Sequence, residues 1–194
     1  MHLSIDDGKL LIKLARDSIK SYFSNEEVKV DDIIKERFSE KRGVFVTLHL
    51  YGELKGCIGY VEAAMPLYEA VIRAARNAAF SDSRFMPLSK DEFGDIKIEV
   101  SVLTTPELIK AEKPKDYLHK IKIGKDGLII RKGFNTGLLL PQVAPEWKWN
   151  VEEFLGHTCQ KAGLGPEEWK KEDSKVYKFQ AVIFKEKDGE IVKG

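Results

Sequence analysis

The chain has 194 residues, 43% hydrophobic and 32% charged, enough for one domain or two small joined ones with a real core. Its 32 basic and 31 acidic side chains leave a net charge of +1, no footprint for nucleic acid or an anionic membrane. No basic, apolar leader opens the chain, no apolar run nears the roughly 18 residues of a membrane span, and two distant cysteines form no disulfide framework; a cytoplasmic protein with free thiols follows.

The first element is a helix. Ser4 and Asp7 have capping-box spacing, and Leu10, Leu11, Leu14, Ala15, Ile19, Tyr22 and Phe23 recur at helical period. Asn25–Val30 breaks it, and a short second helix is expected from Asp31 to about Phe38. From Gly43 the period changes to two: Val44, Val46, Leu48 and Leu50 alternate with Phe45, Thr47 and His49. Tyr51-Gly52-Glu53 reads as a turn and Leu54–Val61 as a second strand, giving a hairpin. Pro66 opens a helix whose buried stripe is mostly alanine, from Leu67 through Ala70, Ala74 and Ala78, a surface suited to close approach to a sheet.

Ile96–Leu103 alternates as a strand. Residues 106–120 suggest a turn and a short helix. Strands at Ile121–Ile123, Gly127–Arg131 and Gly137–Leu140, separated by glycine turns, suggest a meander. Asn150 and Glu153 form a second capping box, for a helix that stops at Gly163. Val176–Phe184 is a last strand, and the charged tail from Lys185 is expected to fray. Strands and helices mix without regular βαβ alternation, so the fold class is α+β, with largely antiparallel sheets and packed helices. Residues 106–148 are expected to form a smaller lobe beside a larger body of residues 1–105 and 149–194. The interspersed lysines and glutamates, with few Cys and Met, match a thermophile-like composition.

The strongest chemical signal is Leu54-Lys55-Gly56-Cys57-Ile58-Gly59. Pairing around Tyr51–Glu53 sets Leu50 opposite Leu54, His49 opposite Lys55 and Thr47 opposite Cys57. Val44, Val46, Leu48, Leu50, Leu54, Ile58 and Tyr60 then share the core face, and Thr47, His49, Lys55 and Cys57 the other. An ammonium beside a thiol lowers its pKa, so Lys55, with His49 diagonally across at roughly 7 Å or somewhat less between Cβ atoms, would activate Cys57 as a nucleophile or redox thiol. Glu99, on the non-core face of its strand with Lys97 and Ser101, is the candidate proton acceptor, or else one half of an ion pair. Gly56 and Gly59 leave room for a ligand or another backbone. Asp82 and Arg84 end a helix in a polar turn, either capping each other or binding a ligand. Against all of this, free cysteine often simply fills a small buried space, as is expected of Cys159 on its apolar stripe and would hold for Cys57 if the alanine-rich helix covered that face.

The four histidines lack zinc-ligand spacing, and no Walker loop, dinucleotide fingerprint or Gly-x-Ser-x-Gly elbow is present, so no metal or cofactor is expected. His119 and His157 read as surface residues. The turns Gly124–Gly127 and Lys132-Gly133 suit an anion or an ordinary hairpin equally.

Several stretches together resemble the AMMECR-domain family. They are Leu54–Gly59, Pro66–Val71, Asp82–Phe85, Ile98–Leu103, Ile123–Leu128 and Gly137–Val143, in order over nearly the whole chain. Lys55 stands where the family usually has arginine, keeping the charge but losing the bidentate fork; Ser83 stands where proline is usual. The resemblance implies a two-lobed, intracellular α+β protein and adds Gln142, in the last stretch, to the ligand-binding candidates. It also implies work in a modification pathway beside Memo-like and radical SAM proteins. The expected function is an enzyme using a cleft cysteine, with a non-catalytic binding or adaptor module as the alternative.

Overall fold

The computed structural model describes residues 3–194. In chain order the elements are α1 (Ile5–Phe23), α2 (Asp32–Arg37), β1 (Val44–Leu50), β2 (Glu53–Tyr60), α3 (Leu67–Phe80), β3 (Ile96–Leu103), β4 (Glu107–Leu108) and α4 (Lys115–Lys120). Then come β5 (Gly127–Lys132), β6 (Asn135–Leu139), α5 (Val143–Glu146), α6 (Val151–Lys161), β7 (Lys175–Phe179), β8 (Ala181–Lys187) and β9 (Glu190–Lys193). The fold is mixed α+β with two antiparallel sheets, ordered β2-β1-β3-β8-β9 and β4-β7-β5-β6. Among the described residues no helix is long and apolar enough to cross a membrane.

The chain divides into two compact units: residues up to Leu103 with Val182–Gly194, and Thr104–Ala181. In the first, α1 and α3 pack on each other; α3 also packs on β1 and β2, and α1 on β3 and β9. The alanine stripe is the reason for the fit: Leu67, Ala70, Val71, Ala74, Ala75, Ala78 and Ala79 are all buried. Opposite them lie Val44, Val46, Leu48, Ile98 and Val100, fully inside the same core; burying each large aliphatic contributes about 1.5–3 kcal/mol. The capping box at Ser4 and Asp7 starts α1 as its spacing predicts.

The second unit is larger than the 106–148 read from sequence. α6 packs on β5 and β6, and β7 pairs with β5, so the segment through Ala181 shares the core of Leu128, Ile130, Phe154, Leu155, Trp169 and Val176. Cys159 is fully buried there. The Asn150–Glu153 capping box is present.

Three local readings are corrected. Ile121–Ile123 is no strand but leads from the end of α4 into a turn, because the Asp126 carboxylate accepts the Lys122 N–H at 2.9 Å and the Asp126 N–H returns to the Lys122 carbonyl. Val176–Phe184 is two strands in different sheets, broken at Gln180, whose N–H donates to Thr104 Oγ1 at 2.8 Å. The tail does not fray: Asp188 and Gly189, at φ 50° and 82°, turn the chain so that β9 pairs back on β8.

Candidate functional site

The hairpin that carries Cys57 is tighter than expected. Tyr51 and Gly52 both have positive φ, 52° and 88°, the requirement of a two-residue hairpin loop. Leu50 therefore faces Glu53, and His49 faces Leu54. The register then shifts at Leu48/His49, where Lys55 is the extra residue of a bulge, and Leu48 meets Gly56 and Thr47 meets Cys57. The predicted Thr47–Cys57 pairing holds because a shorter turn and a one-residue bulge offset each other. Leu54 moves off the core face and is 39% exposed, and Lys55 does not face His49.

Cys57 sits on an edge strand with its backbone turned outward. Its N–H donates to Asp82 Oδ2 at 2.9 Å, and its carbonyl accepts from Arg84 Nη2 at 3.2 Å. Both groups thus point away from β1, which makes Thr47–Cys57 a non-hydrogen-bonded pair with closely approaching side chains. Thr47 Oγ1 accordingly donates to Cys57 Sγ at 3.2 Å. The Asp82–Phe85 turn follows α3 and is closed by the Phe85 N–H on the Asp82 carbonyl. It presents a carboxylate and a guanidinium clasped together, Arg84 Nε to Asp82 Oδ1 at 2.9 Å and Nη2 to Oδ2 at 2.7 Å. One residue of strand partner is thereby imitated by side chains, covering part of an otherwise open edge.

The electrostatics follow from this clasp. The Arg84 guanidinium beside Asp82 holds its carboxyl down at about 2 despite burial, helped by the Cys57 and Arg84 backbone N–H groups. The thiol goes the other way. Burial pushes Cys57 up from its ordinary value; the Thr47 hydrogen bond and Arg84 oppose that, while Glu99 and Asp82 reinforce it. On this half-buried thiol burial thus acts in the opposite direction to the lowering expected from Lys55.

The other expected site residues divide clearly. Lys55 gives its ammonium to Glu92 Oε1 at 2.9 Å, so it does not activate the thiol. His49 shares the outer face one row along, opposite Leu54 and Lys97. Glu99 lies opposite Thr47 on β3, extending the row Cys57–Thr47–Glu99. The room at Gly56 is taken by α3: an added Cβ would stand 2.0 Å from the Ala78 carbonyl oxygen. At Gly59 the Phe45 ring would lie 2.4 Å away and the Val44 carbonyl oxygen 2.3 Å. Both glycines admit another backbone of this chain, the second of the two uses read from sequence. Gln142 precedes α5 in the second unit, and its side-chain oxygen is buried without a hydrogen-bond partner. Asp82 and Arg84 are brought to Cys57, as mutual partners and as partners of its backbone. Sequence reasoning missed the roles of Thr47 and Glu92; the ladder register points to Thr47, and nothing in the spacing signals Glu92. Among the described residues no three His, Cys, Asp or Glu side chains gather as a metal ion requires.

Comparison with known proteins agrees with the motif reading. The AMMECR1 family model matches residues 12–184. The protein MJ0810 of Methanocaldococcus jannaschii is 50% identical over 194 residues, covering 98% of this chain and 96% of its own. A protein of Methanothermobacter thermautotrophicus is 49% identical over 185 residues, covering 95% and 96%. The crystal structure of the uncharacterized protein PH0010 from Pyrococcus horikoshii superposes with a TM-score of 0.91 at 47% identity, covering 96% of each chain. With the family model spanning most of its length and such relatives on both sequence and structure, the chain belongs to the AMMECR1 family.

Proposed function

We propose that this protein is a non-catalytic binding or adaptor module that works in the cytoplasm. One observation carries the reading: the lysine expected to activate Cys57 gives its ammonium to Glu92 Oε1 at 2.9 Å, while burial pushes the thiol up from its ordinary value. Thiolate is the reactive form of cysteine, so this environment opposes nucleophilic chemistry. The glycines beside the thiol are filled by α3 and Phe45, which favours a structural role for the signature stretch. Memo-like and radical SAM proteins are the partners this reading assigns to the module.

The test is the rate of iodoacetamide alkylation against pH, made on Cys57 with Cys159 replaced by alanine. Slow alkylation that rises only above about pH 8.5, the free-thiol value, supports the module. A plateau reached by pH 7 refutes it. A Cys57→Ala protein that folds and keeps its cellular role supports the module independently.

A second reading has its own support. The row Cys57–Thr47–Glu99 places a hydroxyl 3.2 Å from the sulfur with a carboxylate on the next strand. In that reading a cysteine-dependent enzyme uses Glu99 as the proton acceptor, in a modification pathway. Its mark is loss of the cellular role in Cys57→Ala and in Glu99→Gln together, with the fold intact.

A further inference from the structure

The second unit carries a ring ladder that the Cys57 site does not use. The chain leaving α5 closes on itself, with the Trp149 N–H on the Ala144 carbonyl at 2.9 Å and the Lys148 N–H on the Pro145 carbonyl at 3.1 Å. Lys148 takes the left-handed conformation at φ 57°, in the manner of a Schellman helix end. This closure sets two indoles together. Trp147 stacks on Trp149 with centroids 6.1 Å apart and planes at 18°, and Trp149 stacks on His157 at 3.8 Å and 15°. Trp149 is half-buried against the core of its unit, whereas Trp147 is 68% exposed. The ladder is anchored at one end and open at the other.

The surroundings are slightly acidic. From α5 through the end of α6, residues 143–161 contain three glutamates and two lysines, with no arginine or aspartate, and Lys148 stands exposed between the two indoles. Glu152 and Glu153 begin α6 and, with Glu167 and Pro166, border the depression in which His157 lies. Glu153 is committed to its cap and Glu167 to Lys170, while Glu146 and Glu152 stand exposed. An open indole face extends most favourably with a planar or a cationic group. A nucleobase is planar, but its phosphates are repelled by this frame. A guanidinium is planar and cationic at once, and it stacks on aromatic faces where an ammonium acts as a point charge.

We propose that the Trp147–Trp149–His157 ladder is a docking surface for an arginine-bearing basic segment of a partner protein. The proposal rests on the binding-module reading and names the chemistry of its partner. Charge complementarity commits the surface to a basic protein segment over an oligonucleotide.

The test uses the full chain and three fluorescent probes: an acetylated Gly-Arg-Gly-Arg-Gly-Arg peptide, its citrulline analogue of equal shape without charge, and an oligothymidylate. The arginine peptide should bind about tenfold more tightly than the citrulline one, and Trp147→Ala should weaken it about tenfold. Glu152→Lys should weaken it as well, with a shallower salt dependence. Unchanged melting temperatures in both variants tie these losses to the surface. An arginine peptide that fails to bind, binds equally to Trp147→Ala, or is outcompeted there by the oligothymidylate overturns the proposal. None of these outcomes alters the alkylation profile of Cys57, so failure here and failure of the module reading are distinguishable.

Discussion

Asp82 is the residue on which the Cys57 edge depends most. It is buried, with side-chain exposure of 4%, and accepts from the Cys57 N–H, the Arg84 N–H and two guanidinium nitrogens. Its carboxyl lies at about 2, against an ordinary 3.8. A depression of that size corresponds to about 2.5 kcal/mol. Arg84 is half-exposed, and solvent screens its share, so Asp82→Asn should cost about 1–2 kcal/mol at pH 7. Asp82→Ala also strips the Cys57 N–H of its acceptor and should cost about 1–3 kcal/mol more. The folded-state value is depressed, so this stability is present above about pH 4 and lost as pH falls through about 2. Thermal unfolding at pH 7 and pH 2, with amide exchange at Cys57, reads both effects. The Asn variant and the parent should differ at pH 7 and converge at pH 2, and the Ala variant should lose protection at the Cys57 amide. A Cys57 amide still protected in Asp82→Ala, or a gap between Asn variant and parent as large at pH 2 as at pH 7, refutes the edge clasp.

Gly56→Ala places a Cβ 2.0 Å from backbone of α3, and should lower stability by about 1–3 kcal/mol in thermal melts; Gly94→Ala, where a Cβ meets nothing within 4 Å, is the neutral control. Gly189→Ala forces a side chain into φ 82° and should cost about 1–2 kcal/mol, read as faster amide exchange in β8 and β9. Asn150→Ala removes the side-chain acceptor of the Glu153 N–H at 3.0 Å and should cost about 1 kcal/mol by thermal melting, without moving the Cys57 alkylation profile.

Periodicity made most of the first unit legible. The α1 stripe, the alternation of β1 and the alanines of α3 each state which face is buried, and the structure buries most of them, with Tyr22 exposed at the end of α1, Leu50 half-buried and Thr47 buried on the opposite face of β1. The failures lie where local chemistry overrides periodicity. Tyr51 adopts a left-handed conformation usually left to glycine or asparagine, so a two-residue loop was concealed behind an apparent three-residue turn. Asp188-Gly189 is a strong hairpin signal, and it was masked by the charged residues around it. The boundary of the second unit was illegible because α6 joins it through tertiary packing on β5 and β6, which leaves no mark at residue 148. At the site, alternation put Cys57 and Thr47 on the outer face, but it carries no information about Glu92, which takes Lys55 from 37 positions away.

The clasp and the thiol make competing claims on one cation. The backbone bonds to Asp82 and Arg84 do not read the side chain at position 57, so the edge alone does not require cysteine there. What the place requires is a small, weakly polar side chain that accepts from Thr47 in a half-buried setting. Cysteine meets that without the desolvation cost a more polar hydroxyl would carry. Alanine at this position would leave the Thr47 hydroxyl without its sulfur acceptor. Arg84 is the cation whose charge favours the thiolate, and its guanidinium is clasped to Asp82 and bonded to the Cys57 carbonyl. Turning it toward the sulfur would release both the carboxylate and the strand edge. A thiolate that drew Arg84 into direct contact would therefore come at the expense of the geometry that holds Cys57 in place, whereas in the clasp the guanidinium acts on the sulfur only through its charge.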